Sequence, residues 1–324
     1  MKKTIFLIIC ILLLLTLTGF SQENKDSNYA ESSASYLQYN YPVQPGTDAW
    51  KRLDGHDDMI EVCQLPEEWL KTDTGSLFCC VLTYPLLIDV FAWSSFKEGV
   101  EEVSTYFNGM QELLNRKDLV KVADTLNIDS IIFSQEYQKY LAKKFISFLP
   151  YYLNGMQESF SSRSIEVTNN NVLTPNNTQV PHYENLTWND HLMDQDDAEM
   201  EAYAVNATYS VSPIHPFNPK YNCHSYAWHS SSTSNIYWID NPSDYWEDDS
   251  YYRVYSTLVN YRVIYYRSDR PKPYNHSGIV YSTSGSITIE SKWHYLGVYR
   301  HSLTNCPYYR SGYTSFRYYT RDGE

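Results

Sequence analysis

Glycine and proline are scarce, at 12 and 14 of 324 residues, which excludes a collagen-like chain and a Gly/Pro-rich disordered one. Basic side chains are outnumbered, with 25 Lys and Arg against 38 Asp and Glu. The resulting net charge of −13 argues against a protein that holds nucleic acid by its phosphates, because that task needs a basic surface. There is no Cys-x-x-Cys and no metal-ligand spacing, so neither a structural zinc nor any other cofactor is implied. No internal repeat is present, and after residue 21 no apolar run reaches the roughly 20 residues of a membrane span. What the chain has in abundance is tyrosine. Of 32 Tyr, 19 lie between Tyr221 and Tyr319. Tyrosine suits pleated, half-buried surfaces and carries a polar tip, so the C-terminal third is expected to be β-rich.

The first 21 residues have the layout of a secretory signal. Lys2 and Lys3 precede an apolar run from Ile5 to Leu17, and Gly19-Phe20-Ser21 places small residues at −3 and −1 for cleavage before Gln22. A retained anchor is the alternative, but the run is short for one, and Cys10 lies inside it rather than at its end. The expected product is secreted, periplasmic or extracellular, with no stable membrane insertion. It keeps Cys63, Cys79, Cys80, Cys223 and Cys306, an odd number, so in an oxidising compartment at least one thiol stays free or pairs with another molecule. Any bridge is expected to join Cys63 to Cys79 or Cys80 and to leave Cys223 free.

Texture divides the remainder. Residues 22–46 read as a polar tether and 47–155 as a helical domain. Pro66-Glu67-Glu68 suits a first helical turn, and Val100, Val103, Phe107, Met110 and Leu114 recur at three- and four-residue steps. Leu119, Val122 and Leu126 continue the pattern, as do Tyr137, Leu141, Phe145 and Phe148, which together imply a small bundle. From Ser164 to Pro219 there is no Lys or Arg against eight Asp and Glu, so 156–208 reads as an acidic low-complexity linker. Its Asp190–Glu201 cluster lacks the Asp-x-Asp-x-Asp-Gly loop that shapes a calcium site. Residues 209–319 then alternate as strands do, with Val259 to Tyr266, His276 to Tyr281 and Ser286 to Lys292 as three runs.

Chemistry concentrates at Tyr221-Asn222-Cys223-His224-Ser225-Tyr226-Ala227-Trp228-His229. Asn222 is a good cap, Cys223 opens a helix, and a helix N-terminus favours the thiolate. A nucleophilic Cys needs a base and a group to orient that base. His276 opens the strand His-Ser-Gly-Ile-Val-Tyr, and the next strand offers Glu290 or Ser291. With Ser284-Gly285 as a two-residue turn, Gly278 faces Ser291 and His276 faces Trp293, which sets Ser291 diagonally beside His276 and Glu290 on the other face. A bulge would bring Glu290 round, so both stay open. His224, His229, His294 and His301 are given no catalytic role, and Cys306 reads as structural.

The order Cys, His on a strand, polar residue on the next strand resembles the papain-like cysteine amidases and peptidases of the NlpC type and the CHAP amidases. His276-Ser277-Gly278-Ile279-Val280 is similar to the CHAP His strand, whereas Asn222-Cys223-His224-Ser225 stands where NlpC-type proteins have Asp-Cys-Ser-Gly. The resemblance implies an α+β fold, with the helical bundle followed by a papain-like domain that carries an antiparallel sheet and a Cys-bearing helix. It implies amide hydrolysis through a thioester at Cys223, with His276 as base, Asn222 and the Cys223 amide at the oxyanion, and a peptide or peptidoglycan-like substrate. A transglutaminase-like acyltransferase and a non-catalytic binding module with a relic triad are the alternatives. An ion pair with His276 is expected to lower the Cys223 pKa.

Overall fold

Capping residues and apolar periodicity cut the first half of the chain into short helices. Asp73 accepts from the Ser76 amide at 3.0 Å and starts Thr74–Leu82, in which every residue is buried. Ser95 does the same for Phe96–Ser104 through the Glu98 amide at 3.1 Å. The apolar stripe is real: Val100, Val103, Phe107 and Met110 are fully buried, although Phe107 sits in an extended link between Phe96–Ser104 and Asn108–Leu114. The longest helix, Glu136–Leu153, buries Tyr137, Leu141, Phe145 and Leu149, with Phe148 only partly covered. The computed structural model from which these positions are taken describes residues 36–93, 95–154, 165–187, 195–270 and 272–323. The expected signal segment 1–21 and the start of the tether lie outside them.

Strands are labelled in chain order: β1 Tyr183–Glu184, β2 Ser212–His215, β3 Tyr237–Trp238, β4 Tyr252–Val254, β5 Arg262–Tyr266, β6 Tyr274–Ser282, β7 Thr288–Lys292, β8 Val298–Ser302 and β9 Ser315–Thr320. β1 pairs with β3, and the others form one antiparallel sheet in the order β2-β8-β7-β6-β5-β9-β4. Mixed helix and antiparallel sheet is therefore the observed class. The β6–β7 hairpin takes the expected register. Ile279 faces Glu290 and Val280 faces Ile289, with one irregularity nearer the turn that sets Ser282 against Thr288.

Strand alternation gives the sheet two buried faces. Val263, Tyr265, Val280 and Ile289 share one core with the helices, while Ile264, Ile279 and Val298 pack with Tyr221, Tyr226, Ala227 and Trp228 on the other face. That shared core departs from the expected organisation of a helical domain, a solvated linker and a separate C-terminal domain. Tyr36–Glu324 form one compact unit. Of the expected tether, Tyr41 is buried and its hydroxyl donates to the Cys80 carbonyl at 3.0 Å. Where the linker is described, Val172, Val180 and Leu186 are buried, and the helix Gln195–Tyr209 inserts Ala198, Ala204, Val205 and Tyr209. Its acidic residues find partners on Glu136–Leu153: Lys144 pairs with Glu201, and the Tyr140 hydroxyl donates to Asp197 at 2.6 Å.

Two buried polar clusters tie the layers. His56 Nε2 lies 2.8 Å from Asp89 Oδ2, and its Nδ1 donates to the Tyr309 carbonyl at 2.8 Å. Asp89 also accepts from the hydroxyls of Tyr106, at 2.9 Å, and Tyr209. In the second, Glu102 receives Arg267, at 2.6 Å, and Arg270. The five cysteines that follow the signal segment are buried and unbridged, so the expected Cys63 bridge is not formed.

Candidate functional site

Asn222 starts the turn that presents Cys223. Its side-chain oxygen accepts from the Ser225 amide at 3.0 Å, and its Nδ2 donates to the Ile239 carbonyl at 2.7 Å. The Asn222 side chain thus caps the turn and holds Ile239, and Asn222 also lines the cavity beside Cys223. Cys223 and His224 are helical and run into a π-helical turn, Ser225–His229. The Cys223 thiol is buried, and burial pushes its pKa up to about 12; main-chain amides of Ser277, His224 and Cys223 and the charge of Lys292 act in the opposite sense. A lowered pKa was expected. Loss of water around the sulfur outweighs its donors.

Cys223 lines a cavity of about 40 Å³ together with Asp240, Lys272, Asn275, His294 and Tyr308. Ala92, Trp93 and Glu98, from the helical half, also line it, as do Asn222, His224 and Tyr274. That volume is room for one or two waters.

Alternation on β6 separates the expected nucleophile from the expected base. Ser277 faces the Cys223 helix, where its hydroxyl oxygen accepts from Trp228 Nε1 at 2.9 Å and lies 2.7 Å from His224 Nδ1. His276 therefore faces the helical layer. Its ring stacks on Tyr308 with centroids 3.8 Å apart and meets Tyr265 edge-on at 5.3 Å. It is fully buried, and among the described residues both ring nitrogens are unpartnered and no hydrogen bond joins it to Cys223. Burial, helped by His301 and His224, holds its pKa well below the usual imidazole range.

Neither expected orienting residue reaches His276. Ser291 Oγ accepts from Trp293 Nε1 at 3.1 Å and lies 2.8 Å from His301 Nε2. Glu290, on the opposite face as the simple register required, accepts from the Tyr226 hydroxyl at 2.6 Å and Arg300 Nε at 2.8 Å.

Three neighbours of Cys223 were given no role from the sequence: His224 and His294 were set aside, and Lys292 was not considered. His224 is locked: it is near Ser277 through Nδ1 and donates to the Tyr274 carbonyl, and burial pushes its pKa down to about 3. His294 lines the cavity from the turn after β7, with φ +50°. Lys292 is buried on the Cys223 face of β7. The period-2 pattern of β7 pairs Lys292 with Glu290 on one face, so that signal was present; no local pattern signals His294. Among the described residues, no group of three or more His, Cys, Asp or Glu is placed to hold a metal ion, and no helix is long and apolar enough to cross a membrane. Comparison with protein-family models, curated proteins and solved structures finds no match to this chain.

Proposed function

We propose that the chain is an exported, papain-like cysteine amidase or peptidase that opens peptide amides through a thioester at Cys223, with cell-wall peptide stems as the substrate class. The observation that carries this reading is the sulfur itself: a thiol lining a narrow polar cavity, with main-chain amides of Ser277, His224 and Cys223 acting to favour its anion. The same amides suit negative charge on a carbonyl oxygen during attack. The thiol proton passes to an imidazole as sulfur bonds to the carbonyl carbon. That proton then leaves with the amine, and water hydrolyses the thioester.

The base is drawn from two histidines. His294 lines the cavity, and His276 stands behind Tyr308, a cavity wall, with its ring nitrogens unspent. The deciding experiment is turnover of isolated peptidoglycan and of peptide amides by the native protein and by Cys223→Ala, His276→Ala and His294→Ala. Cys223→Ala should abolish turnover, and the base is whichever histidine variant lowers kcat more. Incorporation of a labelled amine in place of release would identify acyl transfer. Absence of any thiol-dependent turnover refutes the amidase reading in favour of a binding module.

A further inference from the structure

A second cavity opens at the far end of the helical turn that Cys223 begins. It measures about 510 Å³, inside the roughly 300–1,000 Å³ span of small-molecule sites. Strand alternation builds it. Arg262 on β5 stands two residues before Ile264 and faces Tyr319 on β9, and Arg321 stands two residues beyond Tyr319. Ile264 and Tyr319 pack with Ala227 and Trp228, so both arginines reach the side of the sheet that carries the Ser225–His229 turn. The cavity shares no lining residue with the one beside Cys223.

Its lining reverses the charge balance of the chain. Asp and Glu outnumber Lys and Arg by 38 to 25, yet two arginines and no carboxylate line this cavity. Both guanidiniums lie over one ring: Cζ of Arg262 is 5.4 Å and Cζ of Arg321 is 5.8 Å from the centre of Tyr251. Arg262 is oriented further by the bonds that its Nε donates to the Ala227 carbonyl, at 3.0 Å, and its Nη1 to the Asn260 carbonyl, at 2.7 Å. Two carboxylates bonded to wall residues have other donors besides. Asp248 accepts from Thr174 and from the Ser250 amide, at 2.9 Å, and Glu290 from Tyr226 and Arg300. Trp228, Tyr245 and Tyr251 pack against one another as a buried aromatic wall. His229, Ser230 and Ser231 line a more exposed side.

We propose that this cavity binds a small hydroxylated organic anion, a sugar acid or sugar phosphate, with Arg262 and Arg321 holding its carboxylate or phosphate. The planar fork of a guanidinium matches either oxyanion. The hydroxyls of Ser230 and Ser231 and the His229 imidazole suit the hydroxyl groups of the carbon frame. Arg262, already fixed by two carbonyls and a ring, loses little freedom when the ligand arrives. The site stands apart from Cys223, whichever chemistry that thiol performs.

Calorimetric titration of the full chain with glucuronate, glucose 6-phosphate and uncharged glucose tests this. Both anions should bind more tightly than glucose, and the tighter of the two identifies carboxylate or phosphate as the group held. Arg262→Gln and Arg321→Gln should each weaken that anion about tenfold. Circular dichroism checks folding. Arg321 is exposed, so its replacement tests the site even where releasing the Ala227 carbonyl from Arg262 disturbs the fold. Glucose binding as tightly as the anions, no binding of either anion, or unchanged affinity in either folded variant overturns the proposal.

Discussion

Removing Asp89 should destabilise the protein more than almost any surface change, because three donors converge on it in a fully buried site. His56 and Asp89 are both fully buried, and Asp89→Ala leaves the His56 imidazole and the hydroxyls of Tyr106 and Tyr209 without their acceptor. Breaking a buried pair from one side costs about 3–5 kcal/mol, and orphaned hydroxyls add to that without summing fully. At about 2–4 °C per kcal/mol for a chain of this order of size, the melting temperature should fall by roughly 10 °C. The same pair sets a pH dependence. Burial alone lowers the His56 pKa, but Asp89, by charge and by hydrogen bond, and the Tyr309 carbonyl carry it above the ordinary 6.5. A raised folded-state pKa stabilises the fold fully below the unfolded value of about 6.5 and loses that contribution as pH rises through the folded value. Thermal melts followed by circular dichroism between pH 6 and pH 9 should therefore show native protein losing more stability on the alkaline side than His56→Gln. A loss below about 1 kcal/mol in Asp89→Ala, or identical pH profiles for native protein and His56→Gln, would refute the reasoning.

Other expectations follow from single contacts. With its thiol raised from 9.0 to about 12, Cys223 should alkylate in resting protein about a thousandfold more slowly at pH 8 than an ordinary thiol, and fast reaction at pH 6 would contradict the buried, neutral state. Gly278→Val should cost about 1–3 kcal/mol by denaturant titration, since even a Cβ there would overlap Ile289 Cγ2 and meet Ser291 Cβ at 3.2 Å. Ser291→Ala strands Trp293 Nε1 and His301 Nε2, so it should lower stability by about 1–3 kcal/mol while leaving kcat on a peptide amide unchanged; a fall in kcat would restore the orienting role.

Periodic features were legible in the sequence because they are local. The Val100–Met110 stripe, the capping Asn222 and the β6–β7 register all follow from spacing and turn chemistry over a few residues. The register even placed Ser291 and Glu290 on their observed faces. What escaped depends on which face of the sheet each partner covers. The sequence aligns Cys223 and His276 in order, yet only packing reveals that Ser277, not His276, meets the Cys223 helix. The acidic stretch misled for a related reason: Glu201 and Asp197 look solvated until Lys144 and Tyr140, more than 50 residues away, come to meet them. Burial likewise reversed the expected thiol pKa, and burial is a property of the assembled layers.

Trp93 and Glu98 belong to the helices, yet they wall the cavity of a cysteine far along the chain. The C-terminal third is therefore not a portable cassette. A fusion carrying only residues 209–319 would open that cavity on one side and turn Tyr265, Trp293 and Tyr308 from core into solvent-facing surface, inviting aggregation. Evolution faces the same restriction: exchanging either half would have to preserve the shared interior, so the cavity beside Cys223 can change shape through helices far from it in sequence.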